Sequence, residues 1–250
     1  RKKGDEQSRD QKSREEPDQV IVAHRVPPRE AGNREPPRDI AAFLAENGVT
    51  TVYEMTGGMI TFLLDSIGSR GDIAVISMHH EQAAAFAAEA GARISGTPGV
   101  ALATSGPGAT NLLTGIASCF FDSVPAVFIT GQVNTFEQRG DSGVRQAGFQ
   151  ETDIVALATP ITKSSVRVRA ARELPEVLAR AFSDALGGRP GPVLIDIPMD
   201  VQRQDVTERA ARVKLASPVV PDDIAQALNA LRTAERPLIL AGGGVRAARA

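Results

Sequence analysis

The chain is short of the features that mark several common protein classes. It has one cysteine and three histidines in 250 residues. A single thiol excludes an intrachain disulfide. Cys119 lies in the apolar, small-residue stretch Ile116-Ala117-Ser118-Cys119-Phe120, which reads as a packed core thiol in a reducing compartment rather than a reactive one. Charge is nearly balanced, at a formal net of -2, so no clustered basic surface is present to bind nucleic acid by counterion release or to hold anionic lipid. No apolar run approaches the roughly 20 residues that span a bilayer, and the first residues hold no hydrophobic signal core. A cytoplasmic protein with no membrane or nucleic-acid partner is expected. There is no internal repeat, no Walker lysine pattern and no Gly-x-Gly-x-x-Gly, so an ordinary nucleotide site is not indicated.

What is present divides the chain. Residues 1–37 mix Arg and Lys with Asp5, Glu6, Asp10, Glu15, Glu16 and Asp18, and their only apolar patch, Val20-Ile21-Val22, is followed by Pro27, Pro28, Pro36 and Pro37. So little buriable surface cannot offset ordering entropy, and a disordered charged tail is expected. From Arg38 the pattern changes to amphipathic segments alternating with short apolar runs. The runs Ile73–Ile76, Val100–Thr104, Ala126–Thr130 and Val193–Ile197 lack polar alternation, as strands covered on both faces do. Helical stretches fall between them: Asp39–Asn47 before Gly48, Gln82–Ile94, Ala109–Ser118, and Ala171–Leu186 before Gly187-Gly188. Strand, helix, strand in succession implies right-handed crossovers and an α/β fold: a doubly wound, mostly parallel sheet with helices on both faces over residues 38–205. Residues 206–221 read as a linker. Residues 222–250 read as the truncated start of a second α/β domain, with a helix from about Asp222 to Arg232, a strand Pro237–Ala241 and the turn Gly242-Gly243-Gly244.

Two places stand out chemically. Glu81 follows the first apolar run directly and opens an Ala-rich helix, and strand C-terminal ends are where open α/β sheets place ligands. Its carboxylate is either a functional group or a charge that favours the positive helix N-terminus, worth about 0.3–1 kcal/mol. The neighbouring His79 and His80 do not make a metal site, because Ala84 stands where His-Glu-x-x-His needs its second histidine. Ser105-Gly106-Pro107-Gly108-Ala109-Thr110-Asn111 joins an apolar run to a helix, and glycine there permits close approach to a ligand or simply close packing.

Six strings occur in one order: His80-Glu81-Gln82, Ala103 to Asn111, Asp122-Ser123-Val124-Pro125, Thr130-Gly131-Gln132-Val133, Phe149-Gln150-Glu151-Thr152-Asp153, and Gly188-Arg189-Pro190-Gly191-Pro192 running on to Pro198. Together, over roughly 38–202, they closely resemble the pyrimidine-binding domain of the thiamine-diphosphate-dependent acetolactate synthases, and 237–244 resembles the start of that family's middle domain. The resemblance implies that Glu81 hydrogen-bonds the N1′ nitrogen of the cofactor's aminopyrimidine and favours the imino tautomer that removes the thiazolium C2 proton. It implies that Thr104, Pro107 and Asn111 line the pyrimidine side and that Phe149 and Gln150 lie near a small 2-oxo acid substrate. Read without it, Phe149 is core packing and Gln150 a backbone-capping amide. Arg189 matches an arginine that touches FAD in flavin-containing members, and is otherwise an exposed turn residue. The family is dimeric or tetrameric, and the small residues Ala83–Ala85, Ala87, Ala88 and Ala90 suit such an interface as well as they suit a helix. Mg2+ and the diphosphate are held, in the family, by a C-terminal domain outside this sequence, so these 250 residues alone are expected to be inactive.

Three departures bear on the substrate. Glu54-Met55-Thr56-Gly57-Gly58-Met59 stands where acetolactate synthases commonly have Gly-Tyr-Pro-Gly-Gly-Ala, changing pocket-facing side chains. Asn134 replaces a proline ahead of a long polar loop, Thr135 to Gly148, which suits a larger or more charged acceptor, and Met199 replaces a lysine. The expected activity is decarboxylating carboligation of pyruvate. Its rivals are another thiamine-diphosphate decarboxylase, lyase or hydrolase, and a non-catalytic binding or regulatory module that keeps the fold. Retention of Glu81 argues against the last.

Overall fold

The computed structural model describes residues 39–204, 206, 211–213 and 224–247. The expected tail at 1–37 and most of the expected linker lie outside them. Six strands form one parallel sheet: β1 (Thr51–Met55), β2 (Ala74–Ser77), β3 (Gly99–Ala103), β4 (Ala126–Gln132), β5 (Ser164–Arg167) and β6 (Pro192–Pro198), in the order β2-β1-β3-β4-β6-β5. The order reverses between β1 and β3, so the chain winds outward in both directions and helices cover both faces. On one face α1 (Asp39–Glu46), α2 (Thr61–Arg70) and α6 (Leu174–Leu186) pack Phe43, Leu44, Ile67, Leu178 and Phe182 against Val100, Leu102, Val127, Ile129 and Ile195. On the other, α3 (Glu81–Ser95), α4 (Pro107–Asp122) and the short α5 (Ile154–Ala158) cover Ala101, Ala103, Phe128 and Leu194. Residues adjacent in one strand, such as Phe128 and Ile129, thus serve opposite cores. A central strand therefore reads as an unbroken apolar run.

The four expected strands are present to within two residues at each end. Two more, β1 and β5, did not stand out. Both carry polar residues for positional reasons: β5, Ser-Ser-Val-Arg, is an edge strand that is only half-buried, and β1 alternates around Glu54. Helix α2 also escaped the pattern, since Asp65, Gly68 and Ser69 interrupt its apolar spacing. Helix α3 starts one residue before the expected Gln82, with His80 as its N-cap, and α4 starts at Pro107, whose missing N–H costs nothing at the first helical position. The C-terminal stretch needs a correction. Helix α7 (Ile224–Thr233) matches the expected helix, but residues 237–241 are not a strand, and 243–247 form a helical turn, α8, in place of the expected glycine turn. Leu238 and Leu240 are almost wholly exposed. A strand needs a hydrogen-bonded neighbour, and among the described residues no edge pairs with this segment.

The buried alanines of α3 are explained within the chain. Ala84, Ala85, Ala88 and Ala92 are buried, and a Cβ added at Gly115 of α4 would come within 2.3 Å of Ala85 Cβ. A Cβ at Gly99 of β3 would fall 1.9 Å from the Ala88 carbonyl oxygen. Only small residues allow α3 to lie this close to both α4 and β3, and that closeness fixes where Glu81, at its first turn, meets α4.

Candidate active site at the C-terminal ends of the strands

Glu81 is the first residue of α3, immediately beyond β2, and its charge faces the helix N-terminus. His80 does the capping. Its Nδ1 accepts from the Gln82 N–H at 3.1 Å, leaving the Glu81 carboxylate free for other contacts. Asn111, one turn into α4, donates Nδ2 to Glu81 Oε2 at 2.9 Å. Among the described residues no donor reaches Oε1, which lies beside Gly108, where an added Cβ would come within 3.2 Å. One oxygen is anchored, and the other lies against Gly108, where any side chain would crowd it.

Thr104, at the end of β3, completes the floor. Its Oγ1 accepts from the Met59 N–H at 3.3 Å, and Gly57 packs so tightly on it that an added Cβ would fall 2.4 Å from Thr104 Cβ. Pro107 is exposed above Gly108. Phe149 is 75% exposed, which rules out the core-packing role that a phenylalanine ordinarily has. Gln150 sits over Gly106: both have left-handed backbones, at φ 61° and 68°, and a Cβ on Gly106 would fall 2.8 Å from Gln150 Cβ. The structure thus gathers Glu81, Thr104, Pro107, Asn111 and Gln150 around one strand-to-helix turn. It does not bring Arg189 there. Arg189 precedes β6, at the N-terminal ends of the parallel strands and so at the opposite end of the sheet from the site, where its Nε donates to Ser123 Oγ at 2.6 Å.

The expectation that residues 54–59 turn their side chains to the pocket is corrected at Glu54. It is only 1% exposed, on the α2-bearing side of β1, and accepts from the hydroxyls of Thr56, at 3.0 Å, and Ser77. The polar loop after β4 is folded, not splayed. Glu137 caps its start through Asn134, and the Glu151 carboxylate accepts from the N–H groups of Arg139 and Ala147, both at 2.8 Å. Between this loop and β5 lies an open pocket of about 510 Å³, bordered by Arg139, Arg145, Glu151, Asp153 and Arg167.

Sequence reasoning missed a buried polar cluster beneath the turn, formed by Ser105, Thr130, Gln132 and Asp196. A carboxylate inside the otherwise apolar run Val193–Ile197 was the available signal. Burial pushes the Asp196 carboxyl up from its usual range, opposed by Arg167 and by hydrogen bonds from Gln132 and Thr130. Cys119 lies in the core between α3 and α4, as expected, with its thiol pushed up to about 12, chiefly by burial.

Fold and site together define a class: a doubly wound α/β domain that presents one carboxylate, anchored by an amide and packed against a glycine, at the strand ends. Residues 37–157 match the family described as thiamine pyrophosphate enzyme, N-terminal TPP binding domain. That stretch is similar to the N-terminal domain of thiamine-diphosphate enzymes, and the chain is similar to acetolactate synthases in particular. It is 41% identical over 210 residues to the acetolactate synthase isozyme 1 large subunit of Escherichia coli, covering 82% of this chain and 36% of that protein. Identity is also 41%, over 211 residues, to a probable acetolactate synthase large subunit of Methanocaldococcus jannaschii (81% and 34% covered), and 38%, over 208 residues, to the acetolactate synthase large subunit of Lactococcus lactis (81% and 35%). The chain therefore spans about a third of the length of the curated relatives it matches.

Proposed function

We propose that the protein is a thiamine-diphosphate-dependent enzyme that decarboxylates a 2-oxo acid and joins the acyl unit left to a second oxo acid, as acetolactate synthases do from pyruvate. The observation that carries this reading is the Glu81 carboxylate, with Oε2 held by Asn111 and Oε1 against Gly108. That arrangement fits an aminopyrimidine, whose ring nitrogen, in its protonated or imino form, presents a proton to an anionic oxygen. When bound, the cofactor supplies the nucleophilic thiazolium carbon and the electron sink. Glu81 holds a proton at the pyrimidine N1′, and Asn111 keeps the carboxylate aimed. Thr104 and Pro107 line the pyrimidine side, while Phe149 and Gln150 contact the oxo acid.

Mg2+ and the diphosphate are assigned to the further length that the relatives possess, since among the described residues no group of three His, Cys, Asp or Glu side chains could hold a metal ion. FAD is assigned to Arg189, at the opposite ends of the strands, as a separate ligand. A homodimer or higher oligomer is supported by an outward apolar face: Ala83, Phe86, Ala87, Ala90 and Ile94 recur at helical spacing on α3, and Phe121 on α4 is 69% exposed. No helix among the described residues is long and apolar enough to cross a membrane, and we place the protein in the cytoplasm. A second reading, another decarboxylase, lyase or hydrolase using the same cofactor, is favoured by the buried Glu54 and by the polar loop 135–148, which differ from the usual acetolactate synthase pattern.

The test is Glu81→Gln in the full-length protein. Glutamine keeps the shape but loses the anion. Exchange of the cofactor's C2 hydrogen for deuterium is expected to slow by about 10²–10³-fold, with cofactor affinity much less affected. An unchanged exchange rate would remove Glu81 from the mechanism and the reading with it.

A further inference from the structure

Thr104 is packed between two glycines. A Cβ added at Gly57 would fall within 3.0 Å of its Cβ, Cγ2 and Oγ1 alike, and one added at Gly108 would fall 2.8 Å from its Cγ2. That second position is also 3.2 Å from Glu81 Oε1. Thr104 Cβ comes next at 3.8 Å, and the hydroxyl oxygen lies no nearer. The methyl of Thr104 therefore stands on the Glu81 side, while Oγ1 is turned to the 57–60 turn and accepts from the Met59 N–H at 3.3 Å.

The other rotamer is not taken, although both groups would gain a partner's side by it. Glu81 Oε1 has no donor among the described residues, and the Thr104 hydroxyl proton has no acceptor among them. Turning Thr104 by about 120° about its Cα–Cβ bond would carry the hydroxyl to the Glu81 side. It would also leave the Met59 N–H without its acceptor. Met59 cannot follow. Its carbonyl accepts from Gln202 Nε2 at 2.8 Å, and Gly131 lies so close that an added Cβ would fall 2.0 Å from that oxygen. Gln202, fully buried in the helical turn Met199–Gln202 after β6, gives its second Nε2 hydrogen to the Ile197 carbonyl at 2.7 Å. Its Oε1 is buried without a partner among the described residues, a cost that an amide serving only as bulk would not carry. Each bond in the series runs from an N–H to an oxygen, so none competes with the next.

We propose that Thr104 serves the site with its methyl rather than its hydroxyl, and that Gln202 is a positioning residue which, through Met59, keeps that hydroxyl off Glu81. A hydroxyl on Oε1 would stabilise the bare anion, lower its affinity for a proton and compete with the N1′ proton for the same oxygen. The methyl leaves the cofactor as the donor to Oε1 and fills room where water would otherwise stand. This rests on the reading of Glu81 as the partner of the pyrimidine.

The test measures C2 hydrogen exchange of saturating thiamine diphosphate with Mg2+ in the full-length protein, alongside the melting temperature. Thr104→Val keeps a methyl toward Glu81 and strips the Met59 N–H of its acceptor. It is expected to lower the melting temperature by several degrees and to slow exchange about threefold. Thr104→Ser keeps the hydroxyl and loses the methyl, so Oε1 gains a donor, the serine hydroxyl or a water. It is expected to melt above Thr104→Val yet exchange about thirtyfold more slowly than the wild type. A merely structural role would make exchange follow stability, and a Thr104→Ser protein that exchanges faster than Thr104→Val overturns the proposal. Gln202→Met should slow exchange about fivefold alone, but by less than about twofold when added to Thr104→Val, where no hydroxyl is left to misplace. Effects that multiply overturn the role of Gln202. If Gln202→Met does not fold, Gln202→His, whose ring N–H keeps one of the two bonds, replaces it in the same cycle. Glu81→Gln, run alongside, separates the two failures. Wild-type exchange in that variant defeats the reading of Glu81, whereas slow exchange there with Thr104→Ser ahead of Thr104→Val defeats only the roles given to Thr104 and Gln202.

Discussion

Replacing Gly108 by alanine isolates the space beside Glu81 from the carboxylate itself. The added methyl would lie 2.8 Å from Thr104 Cγ2 and 3.2 Å from Glu81 Oε1. The first contact is well inside the usual 3.5–4.0 Å between carbons, so Thr104 must shift, and overpacking of this kind costs about 1–3 kcal/mol. Exchanging glycine for alanine in a helix returns about 1 kcal/mol. The net loss is therefore about 0–2 kcal/mol. For a domain of this size each kcal/mol moves the melting temperature by about 2–4 °C, so a fall of up to about 8 °C is expected and the fold should survive. The second contact matters for function. A methyl in front of Oε1 occupies the position that a ring nitrogen bonded to that oxygen requires. C2 hydrogen exchange should fall by about 10²-fold or more, comparable to the loss of a single preorganised contact in an active site, with secondary structure unchanged by circular dichroism. A folded Gly108→Ala protein that binds thiamine diphosphate and exchanges at the wild-type rate would refute the placement of the pyrimidine.

Two further outcomes follow from buried titratable groups. Because burial raises the folded-state pKa of Asp196 above its usual 3.8, the folded chain binds the proton more tightly than the unfolded one. The stability that this group contributes is then lost as pH rises from about 4 through its folded pKa. Denaturant midpoints should show the wild type's advantage over Asp196→Asn shrinking as pH rises through that window, and a growing advantage would contradict the assigned direction. Cys119, with its thiol pushed up to about 12, should resist a thiol reagent at pH 8 in the native protein and react as one thiol per chain in denaturant. Rapid native labelling would show that α3 and α4 open readily.

The sequence by itself determined the α/β class, four of the six strands and the helices between them, because a strand sandwiched between two helical layers must be apolar throughout and a helix must carry its stripe. It also singled out Glu81 and the 105–111 turn, since a carboxylate and a glycine-rich strand-to-helix joint are visible as residue types in order. The tertiary structure alone decided that Asn111, 30 residues further on, meets the Glu81 carboxylate. The reason is the close crossing of α3 and α4 that Gly115 and Ala85 permit, a contact with no local signature. It also decided that Glu54 points into the core between hydroxyls and that Arg189 lies at the N-terminal ends of the strands, away from the site. The buried cluster of Ser105, Thr130, Gln132 and Asp196 joins residues from β4, β6 and the turn after β3. No periodicity encodes such a cluster, because hydrogen bonds between side chains on different strands depend on the order and register of the sheet, which only folding sets.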